Sequence, residues 1–290
     1  MRLTPIALPP EIAPWIHQMW VFESERGLPP GDARVVVPNG RPKLIIPWRN
    51  GLMAEASGLR QVHDEGDAVL IGLWDAPTVI SSSPAATVSI GIEFKPNGLS
   101  RFVAGDMSDL NQKILPIGDV LGALGDRLRR RVMAAETCGD AVRAAIGFLL
   151  ERFRALETGP ARLADEALRL MGESGYRLDV ADLERRLGYS RRYIAAVFQR
   201  DVGLAPKRLN SILAFERLYR AFSQHKSASL LRDDALDLFY DQSHFIRHFK
   251  QFTGTSPRRF AEMDNEFGRI FYRTREATGS SHLSNTDREG

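Results

Sequence analysis

Residues 241–250 read DQSHFIRHFK and are followed by TSP at 255–257. Within this stretch Phe245, Phe249 and Phe252 recur at i, i+4 and i+7, so an α-helix would place all three on one face that needs a core. The polar residues between them fall mostly elsewhere on the helix and carry donors suited to base edges and phosphates. The pattern predicts a helix with one buried face and one face able to contact DNA.

A second helix of this kind is predicted upstream, where residues 190–200 read SRRYIAAVFQR. Asp179 is expected to cap a short helix that ends at Gly188, and Ser190 is expected to cap the helix that follows. Two short helices separated by a glycine-containing turn are typical of a helix-turn-helix, whose second helix enters the major groove. A long helix opened by Ala205-Pro206 then leads to the stretch quoted first. One such pair is a weak signal, but two in order predict a protein that reads DNA.

Basic residues are concentrated in the same part of the chain. Residues 1–160 contain 17 Lys and Arg against 18 Asp and Glu, whereas residues 176–260 contain 16 against 9. The resulting net charge of +7 over the second range suits a polyanionic partner, because neutralising phosphates releases their counterions. A solvated surface with a chance excess of positive charge would give the same numbers. The charge therefore supports the DNA prediction only together with the helix pattern.

The first hundred residues show a strand-like pattern instead. Short β-rich runs, such as 43–46 and 87–94, are separated by turn signals such as Pro38-Asn39-Gly40. Many short strands with frequent turns predict a small β-barrel or sandwich. After residue 98 the apolar spacing becomes helical, and a candidate linker follows at 157–160.

Together these patterns predict an α+β protein in three segments. Residues 1–158 would form a β-barrel sensor and dimerisation domain with helices at its C-terminal end. Residues 159–265 would form an all-α DNA-binding domain of two helix-turn-helix units joined by a linker helix, and residues 266–290 would be disordered. The helices at 117–133 and 138–157 carry apolar stripes that need a partner surface. They are expected to form a homodimer contact, although packing on the barrel would satisfy the same stripes.

Four segments agree in order and spacing with one known family: 183–193 (LERRLGYSRRY), 198–206 (FQRDVGLAP), 240–245 (YDQSHF) and 249–257 (FKQFTGTSP). Over roughly residues 176–260 the chain resembles the AraC/XylS family of bacterial transcription regulators. The resemblance implies two helix-turn-helix units set into successive major grooves on one face of double-stranded DNA. It also implies RNA polymerase as a partner.

Shorter segments in the first half are similar to the β-rich sensor domain of one branch of this family. They are 20–22 (WVF), 37–40 (VPNG), 43–46 (KLII) and 91–98 (GIEFKPNG). The similarity implies the architecture of a cupin-like barrel. For the regulator as a whole, control by a small-molecule effector through this domain is expected. Because the branch shares no general ligand, it does not imply the identity of that effector.

The chain departs from the family pattern in two places. Ala195 and Ala196 stand where many members carry long polar side chains, and alanine can contact a thymine methyl but donates no hydrogen bond. In the second unit the usual glycine is absent from the turn at 237–239 (DLF). Because other residues resist positive φ, this predicts a different turn geometry.

The predicted site residues follow from these patterns and from the resemblance. The residues expected at DNA are Ser190, Arg191, Arg192, Tyr193, Gln199, Arg200, Asp241, Gln242, Ser243, His244, Arg247 and Lys250. Aromatic side chains at a barrel mouth would suit an apolar or planar effector, which selects Trp20, Trp48 and Trp74 as candidate effector-binding residues. Ordinary packing in the core and at its rim is the alternative role of these tryptophans.

Composition and motifs bear on other protein classes. No apolar run approaches the ~20 residues that span a bilayer, and the N-terminus lacks a signal-peptide pattern. Cys138 is the only cysteine, which fits a reducing compartment, so a cytoplasmic location is expected.

No catalytic residue, cofactor or metal is expected, because no nucleophile elbow, Walker loop, dinucleotide fingerprint or close His pair with a carboxylate occurs in the first half. His244 and His248 have zinc-compatible spacing but lie on the predicted reading helix. The alternative to a regulator is a small-molecule-binding, cupin-like enzyme domain that carries a degenerate DNA-binding module.

Overall fold

The computed structural model of this 290-residue chain describes residues 1–28, 35–56, 58–156, 162–225 and 242–262. The strands are β1 (Arg2–Ile6), β2 (Ile16–Ser24), β3 (Val35–Val36), β4 (Lys43–Arg49), β5 (Leu52–Ala56), β6 (Leu59–His63), β7 (Val69–Ile71), β8 (Thr78–Ser81), β9 (Thr87–Phe94) and β10 (Ile114–Pro116). The helices are α1 (Ile117–Leu121), α2 (Ala123–Met133), α3 (Cys138–Leu156), α4 (Arg162–Glu173), α5 (Val180–Leu187), α6 (Arg191–Asp201), α7 (Pro206–His225), α8 (Gln242–Thr253) and α9 (Pro257–Glu262). The chain is thus α+β, with a β-rich region first and a helical region after it.

The strands form two antiparallel sheets. One has six strands in the order β1-β2-β9-β4-β7-β10, and the other has four in the order β3-β8-β5-β6. Within the described ranges no strand pairing joins the two sheets. The structure therefore shows two separate sheets where the sequence predicts a barrel.

The six-stranded sheet is buried on both faces, which explains its nearly continuous apolar strands. Side chains alternate between the faces along each strand. On β2, Met19 and Val21 belong to the core beneath α2 and α3, whereas Trp20 and Phe22 face the four-stranded sheet. On β4, Ile45 points to the same side as Trp20. The space between the two sheets is thus lined by every second residue of these strands.

The apolar stripes of α2 and α3 are already buried within the chain. Leu128, Val132, Ala145 and Leu149 are 0–1% exposed and lie in the core that covers the outer face of the six-stranded sheet. The prediction that these stripes form a dimer contact is therefore wrong. Packing on the sheet satisfies them instead.

The first predicted helix pair has the expected local structure. The Asp179 side chain accepts a hydrogen bond from the Asp182 backbone N–H at 2.7 Å, which caps α5. Gly188 ends α5 with φ 72°, a left-handed conformation that glycine adopts without a Cβ clash. The Ser190 hydroxyl then accepts from the Tyr193 N–H at 3.3 Å and caps α6. The capping predictions are confirmed.

Several predictions fall outside the described residues. These are the linker at 157–160, with the boundary drawn at 158/159, the turn at 237–239, Asp241 and the tail at 266–290. Among the described helices, none combines the length and apolar character needed to cross a membrane.

Candidate functional site

Two neighbouring tyrosines, one just before α6 and one in its first turn, are exposed to solvent. Tyr189 is 49% exposed and Tyr193 51% exposed, and their ring centroids lie 5.3 Å apart. The opposite face is anchored, because Ile194 and Phe198 are fully buried beneath it. α6 therefore presents a fixed aromatic surface to solvent at its first turn.

The arginines of α6 differ in whether they form an ion pair with an acidic residue. The Arg191 guanidinium pairs with Glu184, with Nε 2.7 Å from Oε2, and Arg200 pairs with Asp201, with Nε 2.6 Å from Oδ1. Arg192 is exposed and makes no hydrogen bond or ion pair with a described residue. Its guanidinium is therefore the one on this helix that can pair with a phosphate or a guanine without first leaving a described acidic partner. Gln199, about two turns further along α6, is also exposed.

Helix α8 also has one anchored and one exposed face. Phe245, Phe249 and Phe252 are buried, as their spacing predicts. Arg247 and Lys250 are exposed. Of the other predicted contact residues, Gln242, Ser243 and His244 form the helical start of α8, and Asp241 precedes the described part of this helix.

A cavity of about 160 Å³ lies between the two sheets. This inter-sheet cavity is lined by Trp20 and Trp74, two of the three tryptophans that are candidate effector-binding residues. Trp48 is not among the lining residues and packs in the core on the other side of the six-stranded sheet, with Arg49 4.5 Å above its ring. The reason is the alternation along β4, which sends Lys43, Ile45 and Pro47 into the cavity and the even-numbered residues away from it.

One end of the inter-sheet cavity carries charged and polar groups. The Lys43 ammonium donates to Asn39 Oδ1 at 3.0 Å and to the Arg41 carbonyl at 3.2 Å, and lies 3.8 Å from Glu93 Oε1. Glu93 also accepts from Gln18 Nε2 at 2.8 Å and from Asn39 Nδ2 at 3.1 Å. Burial lowers the pKa of Lys43, an effect that Glu93 opposes and Arg41 reinforces. We call Gln18, Asn39, Lys43 and Glu93 the polar end.

The helical region also contributes to the wall of the cavity at this polar end. Glu216 and Tyr219 of α7 are lining residues. Arg41 NH1 donates to Glu216 Oε1 at 3.2 Å, and Arg220 donates to the same oxygen. This ion pair joins the β-rich region to the long helix between the two predicted DNA-reading units.

These charged residues were not singled out from the sequence. A usable signal was present, because Lys43 and Glu93 each stand next to apolar residues in a β-rich run, where a charged side chain is unusual if the run is buried. The pairing of Lys43 with Glu93 across β4 and β9 depends on register, which the sequence pattern alone does not specify. The contact from Arg41 to Glu216 spans 175 residues.

Comparisons with known proteins give the following findings. Residues 6–116 match a family model described as a domain of unknown function, DUF6597. No curated protein matches. Solved structures that are similar include ToxT from Vibrio cholerae (12% identity, 84% of this chain and 97% of that chain, TM-score 0.48) and unsaturated fatty acid-bound ToxT from the same organism (13%, 86% and 95%, 0.46). Another is the AraC-like transcriptional activator CuxR (16%, 71% and 74%, 0.27). At these identities and TM-scores, none of these similarities assigns a function.

Proposed function

We propose that this chain is a sequence-specific, DNA-binding transcription regulator of the AraC/XylS type. Residues 159–265 would form the DNA-binding domain, and residues 1–158 a cupin-like, two-sheet sensor domain. The observation that carries the proposal is the capped α5–α6 pair, which buries one face of α6 and presents Arg192 and the tyrosine pair on the other. In a helix-turn-helix, the second helix contacts base edges through residues near its N-terminus.

The experiment that tests this proposal is a selection of binding sites from a genomic DNA library with the full-length chain. Affinity for the selected sites would then be measured by fluorescence anisotropy at several salt concentrations. We expect an enriched motif with two half-sites about one helical turn apart, since two reading helices would occupy successive major grooves. The affinity should fall steeply with salt. Failure to enrich any sequence would contradict the proposal.

The first variant test separates Arg192 from Arg191. Arg192→Ala should weaken binding to the selected site by about 5- to 150-fold, the range for loss of one good base contact. Arg191→Ala should reduce the affinity less than Arg192→Ala does, because the Arg191 guanidinium already pairs with Glu184. Arg60→Ala on β6, also an exposed arginine, is the matched control and should leave affinity unchanged. Equal losses of affinity for the two variants would show that the Arg191–Glu184 ion pair breaks when the chain binds DNA.

The second variant test concerns Arg247 on α8. We expect this residue to contact a base, since Ala195 and Ala196 leave α6 with few hydrogen-bonding readers. Arg247→Ala should then relax the preference at one base pair, with a loss of ~1–3 kcal/mol at that position. A phosphate contact would instead weaken all sequences about equally and lower the salt slope by ~1. Anisotropy across an operator library at three salt concentrations distinguishes the two results.

The inter-sheet cavity is the proposed effector site. Its middle is apolar and aromatic, and its polar end has a few fixed polar groups, a combination typical of small-molecule sites. Because Glu216 of α7 lines this end, an effector would change the relative stability of two arrangements of the helical region, which is a population shift. RNA polymerase is the proposed downstream partner. Homodimerisation would require a surface other than the buried stripes of α2 and α3.

A small-molecule enzyme is the second candidate, and the buried Lys43–Glu93 pair beside the cavity favours it. Buried ionisable groups beside a cavity are typical of acid–base chemistry. In that case the chain would turn over a small molecule and enrich no DNA sequence. The binding-site selection, repeated alongside metal analysis of the purified protein, separates these two functions.

A further inference from the structure

Three residues that line the inter-sheet cavity each have a buried polar atom without a hydrogen-bond partner among the described residues. These atoms are Ser89 Oγ, His63 Nε2 and Trp74 Nε1. We propose that the cavity binds a one-ring phenol that carries an acceptor oxygen across the ring from its hydroxyl. This inference rests on the effector site proposed above and specifies the chemical class of the ligand.

Ser89 and His63 lie at the same end of the cavity, because the turn between β4 and β5 contacts the strands of both. Asn50 Nδ2 in this turn donates to the hydroxyl of Thr87, two residues before Ser89 on β9, at 2.8 Å. The next residue is Gly51, where a Cβ would lie only 2.6 Å from the His63 carbonyl oxygen. We call this region, with Ser89 and His63, the hydroxyl end.

The hydroxyl end is shielded from water and suits a group that both donates and accepts. Ser89 is 3% exposed and His63 8% exposed. Burial lowers the pKa of His63, although Asp67 and Asp64 act in the opposite direction, and this favours the neutral imidazole. A serine hydroxyl can donate and accept, a neutral imidazole nitrogen does one or the other, and a phenol hydroxyl does both. A ligand hydroxyl here would supply a partner that buried polar groups otherwise lack.

Trp74 lies toward the opposite end of the cavity. It also lines a small recess together with Ala56 and Leu59, which form the last pair between β5 and β6, whereas His63 pairs with Leu52 at the other end of these strands. Leu52 and Ala56 are four residues apart, or roughly 13 Å at about 3.4 Å per residue. An indole N–H is a donor only, so the group that satisfies Trp74 must be an acceptor.

The middle of the cavity favours a single flat ring. A dry protein cavity of roughly 150 Å³ takes up benzene, so a volume of about 160 Å³ suits a ligand with one aromatic ring. A Cβ at Gly91 would overlap the Trp20 ring, so this indole lies directly against the backbone of β9. Ile45 and Val69 continue the apolar lining. An aromatic ring can therefore occupy the space between the hydroxyl end and Trp74.

Calorimetric titration of the full-length chain tests this inference with three probes of similar shape. The first, 4-hydroxyacetophenone, has both polar groups. In 4-methylacetophenone a methyl group replaces the hydroxyl, and in 4-ethylphenol a methylene group replaces the carbonyl. We expect 4-hydroxyacetophenone to bind about tenfold more tightly than either of the others, since each replacement leaves a buried polar group of the protein unpaired.

Two variants assign the two ratios of affinity to the two ends of the cavity. Ser89→Ala should reduce the ratio between the hydroxyl and methyl probes to about twofold or less, while the ratio between the carbonyl and ethyl probes stays unchanged. Trp74→Phe, which removes the indole N–H, should have the reverse effect. Any general loss of packing in a variant affects both probes of a pair and cancels in their ratio. His63→Leu is a second variant at the hydroxyl end, with the same expected direction as Ser89→Ala.

Trp48→Phe is the matched control for Trp74→Phe, because Trp48 does not line the cavity, and it should change neither ratio. Ser89→Ala should keep the thermal unfolding midpoint of the parent chain, since it removes an unpaired hydroxyl.

Equal affinities for the three probes would overturn the two-ended phenol while leaving the effector site standing. Ratios that neither Ser89→Ala nor Trp74→Phe changes would place the ligand elsewhere and overturn it too, as would the absence of binding by all three probes. None of these results affects the DNA-binding proposal, which the binding-site selection tests separately.

Discussion

Glu216→Gln should destabilise the folded chain by about 3–5 kcal/mol, the usual cost of removing one partner from a buried ion pair. The Glu216 side chain is 5% exposed and that of Arg41 11% exposed, so neither guanidinium nor carboxylate has much access to water. Arg220 shares the same carboxylate. The neutral amide would remove the carboxylate charge that both arginines share at the contact between the β-rich and helical regions. Chemical denaturation of the full-length chain measures the loss.

The matched control is Glu151→Gln on α3. Glu151 also accepts from two arginines, Arg127 and Arg131, but all three side chains are more than 40% exposed. Exposed ion pairs contribute only about 0–1 kcal/mol, because water solvates the separated charges. We therefore expect this variant to lie within about 1 kcal/mol of the parent chain. Similar losses for Glu216→Gln and Glu151→Gln would mean that burial does not govern the Glu216 contact.

The same contact should respond to acid. Burial by itself would raise the pKa of Glu216, but Arg41 and Arg220 outweigh it and hold the pKa below the ordinary value of 4.5. A depressed pKa in the folded state contributes stability that is present above the unfolded value. That contribution is lost as the pH falls below about 4.5 and through the folded value. Glu216→Gln should lack this part of the acid dependence.

Sequence patterns predicted some strands and missed others. Short β-rich runs, including those at 43–46 and 87–94, coincide with β2, β3, β4, β7, β8 and β9. β1, β5, β6 and β10 were missed, because they combine few consecutive apolar residues with exposed positions, as in Glu55 of β5 and Arg60 of β6. Such strands are specified by pairing with a neighbour rather than by their own composition.

The candidate sites show the same division between local and long-range information. The caps at Asp179 and Ser190 could be predicted because each depends on residues within one turn. The choice of Trp48 as a cavity residue was wrong, since the face of a strand depends on the register of the whole sheet. The pairing of Arg191 with Glu184 could not be predicted either, because it joins two helices across a turn whose geometry sets the distance.

Phe249→Ala should destabilise the chain by about 3–5 kcal/mol, as is usual for a buried phenylalanine. Phe249 is 0% exposed, and its ring centroid lies 5.7 Å from that of Phe215, 5.6 Å from that of Phe245 and 5.5 Å from that of Phe260. These rings belong to α7, α8 and α9, so one substitution removes a contact shared by three helices. Because this cluster fixes the orientation of α8, binding to the second half-site should weaken as well.

Ile246→Ala is the matched control on the same helix. Ile246 is 41% exposed, so its truncation creates no cavity and should change stability by no more than about 0.5 kcal/mol. The denaturant concentration at the unfolding midpoint should therefore be clearly lower for Phe249→Ala than for Ile246→Ala. Helix propensity cannot cause this difference, since both variants introduce alanine, the strongest helix former. If Phe249→Ala unfolds at the same denaturant concentration as Ile246→Ala, the aromatic cluster does not hold α8. In that case the cluster would not hold Arg247 in one position relative to a DNA base.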